Sequence, residues 1–438
     1  MLFNLQFLFF NGSISEVSTL LKMTKSRSSP LVIIFITIFI DLVGFGIVIP
    51  VLPLYAERYG ASEATIGILV ATYSSMQFLF APVLGKLSDR VGRRPVLLVS
   101  LIGTSVGFLI MGMASRLSLL GLGPTLVWLF AARIIDGISG GNISTAQAYI
   151  ADVTPPDQRS KGMGLIGAAF GLGFVFGPLI GGVLSRISPE APFFFAAGMA
   201  AVNATALYFL LPESLSHEHR SEAGRVGIFQ MVEQSGSSQL ATILATYFFS
   251  TTSFAIVTVT FALFAAHRFG FDAWHTGFLF GYVGIIGAII QGGLLGRLVK
   301  LFGDKPLAVT GTAIFAASVL CFPLSTTVTS LVLAATGIAI GNSLMTPTLN
   351  GLASKSVKAS MQGRVLGVMA SVASLARIIG PILGGTLLGR DPDLSPHYGR
   401  TPYWTSSAIM LVALALALTV KSKSAEVDEE SVRVRAES

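Results

Sequence analysis

Charge is scarce in this chain: of 438 residues, 12% are Asp, Glu, Lys or Arg, against about 25% in an ordinary soluble domain. That shortage excludes a solvated globular enzyme. One cysteine, Cys321, leaves no disulfide framework, no CxxC metal pair and no redox couple. The five histidines (His217, His219, His267, His275 and His397) fall in loops or at the ends of apolar segments. His217 and His219 read as decoration of a polar linker rather than as metal ligands. No Walker loop, GxSxG elbow or HExxH motif occurs, and the glycine-rich GLGFVFG lies inside an apolar run, where it cannot cradle a phosphate.

Apolar sequence is abundant, at 52%. Runs of about twenty apolar residues recur, each long enough to cross a hydrocarbon layer of roughly 30 Å as a helix. They read as spans at 31–55, 64–84, 95–115, 125–151, 161–185, 191–211, 240–266, 273–296, 306–325, 328–352, 362–388 and 403–420. The fold class is therefore an all-α polytopic membrane protein of twelve transmembrane helices. Strands of a β-barrel would alternate over about ten residues instead. The net charge of +7 sits in short loops between the runs, which fits a lipid bilayer and no nucleic acid.

Residues 1–30 read as an N-terminal extension, with Met23 as an alternative start, because their apolar stretch is too short to span and has no basic flank. A six-helix bundle follows at 31–211, a polar cytoplasmic linker at 212–239, a second bundle at 240–420 and a charged, disordered tail at 421–438. With the start inside, the cytoplasmic connections carry 14 Lys and Arg, from Lys86 to Arg364. The outer ones carry 6: Arg58, Arg116, Arg186, Arg268, Arg390 and Arg400. Both termini are thus expected in the cytoplasm, and the protein in the plasma (inner) membrane.

The two bundles repeat one another. GKLSDRVGRRP from Gly85 aligns with GRLVKLFGDKP from Gly296, a shift of 296 − 85 = 211, and GPLIGG at Gly177 aligns with GPILGG at Gly380, a shift of 380 − 177 = 203. Parallel halves of this kind make a pseudo-symmetric transporter architecture. Without a nucleotide site, transport has to be driven by a gradient, and no cofactor is expected.

Apart from those near segment ends, four ionisable residues lie inside spans: Asp41, Arg133, Asp136 and Arg377. Such residues are costly in lipid and mark functional paths. Asp41 lies near the midplane, beside Gly44, Gly46, Pro50 and Pro53, which predict a bent helix and make it a candidate proton carrier. Arg133 and Asp136, three residues apart, share a helix face; either they neutralise each other or Arg133 stands free to favour anionic substrates. Arg377 reads as a snorkelling or packing residue toward the outer half of its span. Gly173, Gly177 and Gly181, with Pro178 and Gly182 beside them, allow close helix packing and offer a pivot for rocking halves. Cavity candidates are Tyr73, Met76, Gln77, Asn142, Gln147, Phe254, Tyr282, Gln291, Asn342 and Met345.

Several segments resemble the major facilitator superfamily, in its drug:proton antiporter branch that includes tetracycline efflux proteins. Gly85, Asp89, Arg90, Gly92, Arg93 and Arg94 match the loop signature after helix two. Gly173, Gly177, Pro178, Gly181 and Gly182 match the antiporter signature of helix five. Asp41 through Pro53 resembles the helix-one motif, and Arg133 with Gly137 the helix-four motif, so the likeness extends from about Pro30 to Val420. The resemblance implies alternating access around a central cavity. It also implies a cytoplasmic latch at Asp89 and Arg93 that holds the outward-open state, and proton coupling assisted by Arg133. Gly107, Gly287 and Phe315 stand where tetracycline pumps carry an acid, a histidine and a second acid, while Asp136 is an added acid.

The reading is a secondary transporter, not an enzyme, acting as a monomer that couples protons to efflux of small amphiphilic compounds. A sugar or metabolite importer of the same fold is the alternative. An intramembrane enzyme or receptor is the alternative of a different class.

Overall fold

The computed structural model describes residues 30–154, 159–215, 238–357, 361–392 and 396–420, and the side chains of 159–163 and 238 are not among those described. The N-terminal extension with Met23, most of the linker with His217 and His219, and the tail lie outside the described residues. Among those described, twelve helices are long and apolar enough to cross a membrane. They are α1 (Pro30–Arg58), α2 (Glu63–Val91), α3 (Arg93–Leu119), α4 (Thr125–Val153), α5 (Gly164–Ser185), α6 (Ala191–Leu210), α7 (Gln239–Phe269), α8 (Ala273–Phe302), α9 (Asp304–Leu324), α10 (Val328–Lys355), α11 (Gln362–Leu388) and α12 (Arg400–Thr419).

Local chemistry sets several of the ends. The Ser62 hydroxyl accepts the Thr65 amide at 3.3 Å to open α2. The Asp272 carboxylate accepts the His275 amide at 3.0 Å to open α8, each satisfying an orphan donor of a first turn. Helices α3 and α9 follow Gly92 (φ 112°) and Gly303 (φ 81°), a backbone region that a Cβ disfavours. This is why both copies of the repeated loop keep glycine there. Two helices are irregular: α4 tightens into a 3₁₀ turn at Gly140–Asn142, and α8 loosens into a π turn at Ile290–Leu294. Departures of that kind re-aim side chains at working positions.

In the first half, α1 packs on α5 and α6, and α4 packs on α2 and α3; in the second, α7 packs on α11 and α12, and α9 on α10 and α12. The halves meet chiefly through α2 against α11 and α5 against α8. Both crossings are glycine on glycine. A Cβ on Gly182 would lie 3.2 Å from Gly277 Cα, and one on Gly385 would lie 3.0 Å from Gly67 Cα. The repeat relates the two, since 385 − 182 = 203 and 277 − 67 = 210. The row Gly173, Gly177 and Gly181, read above as a pivot, instead packs against α1 within its own half. A Cβ on Gly177 would meet Gly46 Cα at 2.6 Å. The inter-half contact of α5 belongs to the neighbouring face with Pro178 and Gly182, because residues three and four apart in a helix point the same way while their neighbours turn aside.

Both crossings lie at the end away from the linker. There the Glu57 carboxylate of α1 bonds His267 Nε2 of α7 at 2.7 Å, and His267 stacks on Tyr398 with ring centroids 4.6 Å apart. Arg186 lies over Trp274, 4.2 Å from its ring centroid. At the linker end the halves are apart: a Cβ on Gly164, Gly167 or Gly171 of α5, on Gly292, Gly293 or Gly296 of α8, or on Gly363 or Gly367 of α11 would meet nothing within 4 Å. The two bundles are therefore splayed at the linker end and closed at the other.

A candidate transport cavity between the halves

An open cavity lies between the bundles, walled by α1, α2, α3, α4 and α5 from the first half and α7 and α11 from the second. Phe45, Phe108, Phe170, Phe174 and Phe254 supply much of its apolar wall.

The polar groups converge from the first half. Asp41 lines the cavity, and its Oδ2 accepts the Asn142 amide at 2.7 Å, while Oδ1 is buried with no hydrogen-bond donor among the described residues. The 3₁₀ turn of α4 is what brings Asn142 to face α1. About two turns earlier, Arg133 Nη1 donates to Asp136 Oδ2 at 3.0 Å, with both side chains almost wholly buried. Of the two alternatives for Arg133, the structure gives the mutual pair. Its guanidinium also lies over the Tyr73 ring, 4.4 Å from the centroid, a favourable cation–π placement. Gln77 Nε2 donates to the Gly140 carbonyl at 2.8 Å and to Tyr73 Oη at 3.3 Å. This network needs α2 and α4 close together, and Gly137 allows it: a Cβ there would lie 2.7 Å from the Met76 Cβ.

Arg377 corrects the sequence reading. Depth along α11 suggested a packing or snorkelling residue, but the side chain lines the cavity. The face of α11 that carries Arg377 and Pro381 is the one that meets α2 at Gly67. Helical depth does not report azimuth, which is why the sequence misled.

Six other cavity candidates do not reach the lining. Tyr282 bonds Thr336 Oγ1 at 2.8 Å between α8 and α10. Gln291 sits in the exposed π turn, Asn342 accepts Thr346 Oγ1 at 3.0 Å within α10, and Gln147 is exposed at the linker end of α4. Met345 is buried in the core, and Met76 packs against Gly137. Polar residues of α8 and α10 stay outside because α7 and α11 form the cavity wall of that half. Thr104, Thr251 and Thr258, not foreseen, do line it, but threonine in an apolar run carries no sequence signal of its own.

The motif after helix two forms a charge cluster within the first half. Arg93 is ion-paired with Asp89, bonds Asp152 Oδ2 through Nε at 3.2 Å and donates to Ser88 Oγ at 2.8 Å. Glu213 accepts the amides of Arg93 at 2.9 Å and Arg94 at 3.1 Å, closing the first turn of α3. Arg94 reaches the Tyr208 carbonyl. Among the described residues this cluster has no ion pair to the second half, in keeping with the splayed linker end.

Two six-helix bundles on either side of a cavity, with buried charges at mid-depth, have the build of a membrane transporter. Comparison places it: the chain belongs to the Major Facilitator Superfamily, whose model matches residues 34–298 and 292–436. It is 34% identical to the class B tetracycline resistance protein of Escherichia coli over 82% of this chain and 88% of that one. It is also 30% identical to multidrug resistance protein 2 of Bacillus subtilis over 92% and 98%. The fold is shared with a bacterial homologue of the human lysosomal transporter Spinster, solved inward-facing and occupied, at a TM-score of 0.72 and 14% identity over 89% and 96% of the two chains.

Proposed function

We propose that this transporter is a proton-coupled exporter of small amphiphilic organic compounds, working by alternating access as a monomer. The observation that carries the reading is Asp41: a carboxylate at mid-depth in the cavity wall, held through one oxygen by Asn142, with the other free of any donor among the described residues. Such a group can hold a proton or release it without dismantling the helices around it. Arg133 and Asp136 pair with each other beside it. The relatives whose names denote resistance to tetracycline and to multiple drugs support export as the direction.

With the basic connections in the cytoplasm, the splayed end faces inward. In this form an amphiphile enters from the cytoplasm or inner leaflet, and Asp41 gives its proton to the cavity water. The bundles then rock, separating at the Gly182–Gly277 and Gly67–Gly385 crossings and closing at the linker end. Outside, the substrate leaves and Asp41 takes up a proton, which favours return. The Asp89–Arg93–Asp152 cluster is the latch of the reading, tightening when the linker end closes.

The test is proton release from acid-loaded proteoliposomes on addition of cationic, neutral and anionic amphiphiles, wild type against Asp41→Asn. Release that follows substrate and disappears in the variant is expected. Transport without proton movement in either protein would overturn antiport in favour of facilitated diffusion.

A further inference from the structure

Of the four charged side chains that line the cavity among the described residues, three have their partners within the first half: Arg133 and Asp136 bond each other, with Arg133 Nε left without a partner among the described residues, and Asp41 is held through one oxygen by Asn142. Arg377 is the fourth, and among the described residues the only charged side chain that the second half adds to the lining. Its nitrogen donates to Ser374 Oγ of its own helix at 3.3 Å. Among the described residues no carboxylate lies within 4.0 Å of it. From either end of α11 it is 11 to 15 residues in, or about 16–22 Å, too deep for its arm to reach an interface.

A guanidinium without a carboxylate at that depth is retained where it meets water or a counter-ion in a cavity. Its planar fork of donors matches a two-oxygen anion better than any other small group. The walls around it, Phe254 and Pro381 from the second half with Phe45 and Phe174 opposite, suit an apolar body. We infer that Arg377 is an anion-recognition residue, and that the amphiphiles carried by this protein bear a carboxylate or a comparable oxyanion that docks on it. The inference rests on the exporter reading and narrows its substrate class. It also assigns roles by half: the proton site belongs to the first bundle and the anion site to the second, so a bound substrate touches both.

The test uses a matched pair of dyes, rhodamine B, which carries a free carboxylate, and its ethyl ester, which does not. Binding to the purified full chain in detergent is followed by fluorescence polarisation. Wild type should bind rhodamine B tighter than the ester by roughly tenfold or more, the scale of one charge-assisted hydrogen-bonded contact. Arg377→Gln should erase that preference by weakening rhodamine B alone. Arg377→Lys, which keeps charge but loses the fork, should retain part of it and guards against a Gln variant that does not fold. A wild-type protein that binds both dyes equally, or neither, overturns the inference, as does an Arg377→Gln variant that loses both equally while eluting as a folded monomer. Because binding is read without a proton gradient, failure of antiport leaves this result standing, and failure here leaves antiport standing.

Discussion

Replacing Gly182 by valine should unlock the closed end of the molecule. Its Cβ would sit 3.1 Å from the Ala273 carbonyl oxygen and 3.2 Å from both Gly277 Cα and the Trp274 carbonyl oxygen. Ordinary contacts between such atoms lie at about 3.5–4.0 Å. All three neighbours are backbone atoms of α8, so no rotamer change can make room, and the valine methyls extend further. Overpacking of this kind costs about 1–3 kcal/mol. The cost falls only on the conformation in which α5 and α8 cross here, so the equilibrium between the two access states should move about 5–150-fold toward opening at that end. Spin labels at Leu119→Cys and Leu324→Cys, in a Cys321→Ala background, report the separation by pulsed electron resonance; both positions are exposed beyond the closed end. A longer distance should gain population in Gly182→Val and stay unchanged in Gly198→Val, whose Cβ meets nothing within 4 Å. An unchanged distribution in folded Gly182→Val, or an equal shift in the control, would refute the pivot.

The same labels should register His267→Phe, which keeps the stack on Tyr398 but loses the 2.7 Å bond to Glu57; a shift of about fivefold toward the open form fits one part-buried hydrogen bond. Glu213→Gln should lower the thermal unfolding midpoint of the detergent-solubilised protein, with a loss of about 0.5–2 kcal/mol, because it weakens the acceptor of two first-turn amides; an unchanged midpoint would remove Glu213 from that role. Gly107→Asp should abolish substrate-driven proton release, since its Cβ would lie 3.0 Å from the Asp136 Cβ and set two carboxylates together. The exchange Gly107→Asp with Asp136→Gly should restore release to within about tenfold by returning one carboxylate to the same space, and a dead double variant would show that the two positions are not equivalent.

The membrane spans were legible because length and apolarity are one-dimensional properties; Gly182 and Gly385 stood out through the repeated GPLIGG and GPILGG, but their partners Gly277 and Gly67 did not. Contacts between distant segments were not. Asp41 and Asn142 are 101 residues apart, and only the 3₁₀ turn in α4 turns one toward the other. Arg377 was read as a snorkelling or packing residue and lines the cavity instead, for the reason that also removed Tyr282, Gln291 and Asn342 from it: which helices wall the cavity is a property of bundle packing. Gly107 and Asp136 looked like two unrelated departures from tetracycline pumps. In the structure they lie side by side, a Cβ on Gly107 falling 3.0 Å from the Asp136 Cβ.

The repeat also explains why Glu213 is where it is. Arg93 pairs with Asp152 in the first half and Asp304 pairs with Lys355 in the second. These are equivalent ties, from the start of α3 or α9 to the end of α4 or α10, because 93 + 211 = 304 and 152 + 203 = 355. Their polarity is reversed. In the second half the acid sits at a helix N-terminus and the base at a C-terminus, each favoured by the helix dipole. In the first half the base is at the N-terminus and the acid at the C-terminus, so the dipoles oppose both. The Glu213 carboxylate on the amides of Arg93 and Arg94 supplies the negative charge that the first turn of α3 otherwise lacks, while Asp89 adds a second anion to Arg93. The tie between helix ends is thus kept in both halves. The inverted copy depends on three carboxylates where the other needs one, and loss of Glu213 should therefore be felt more than loss of either partner in the Asp304–Lys355 pair.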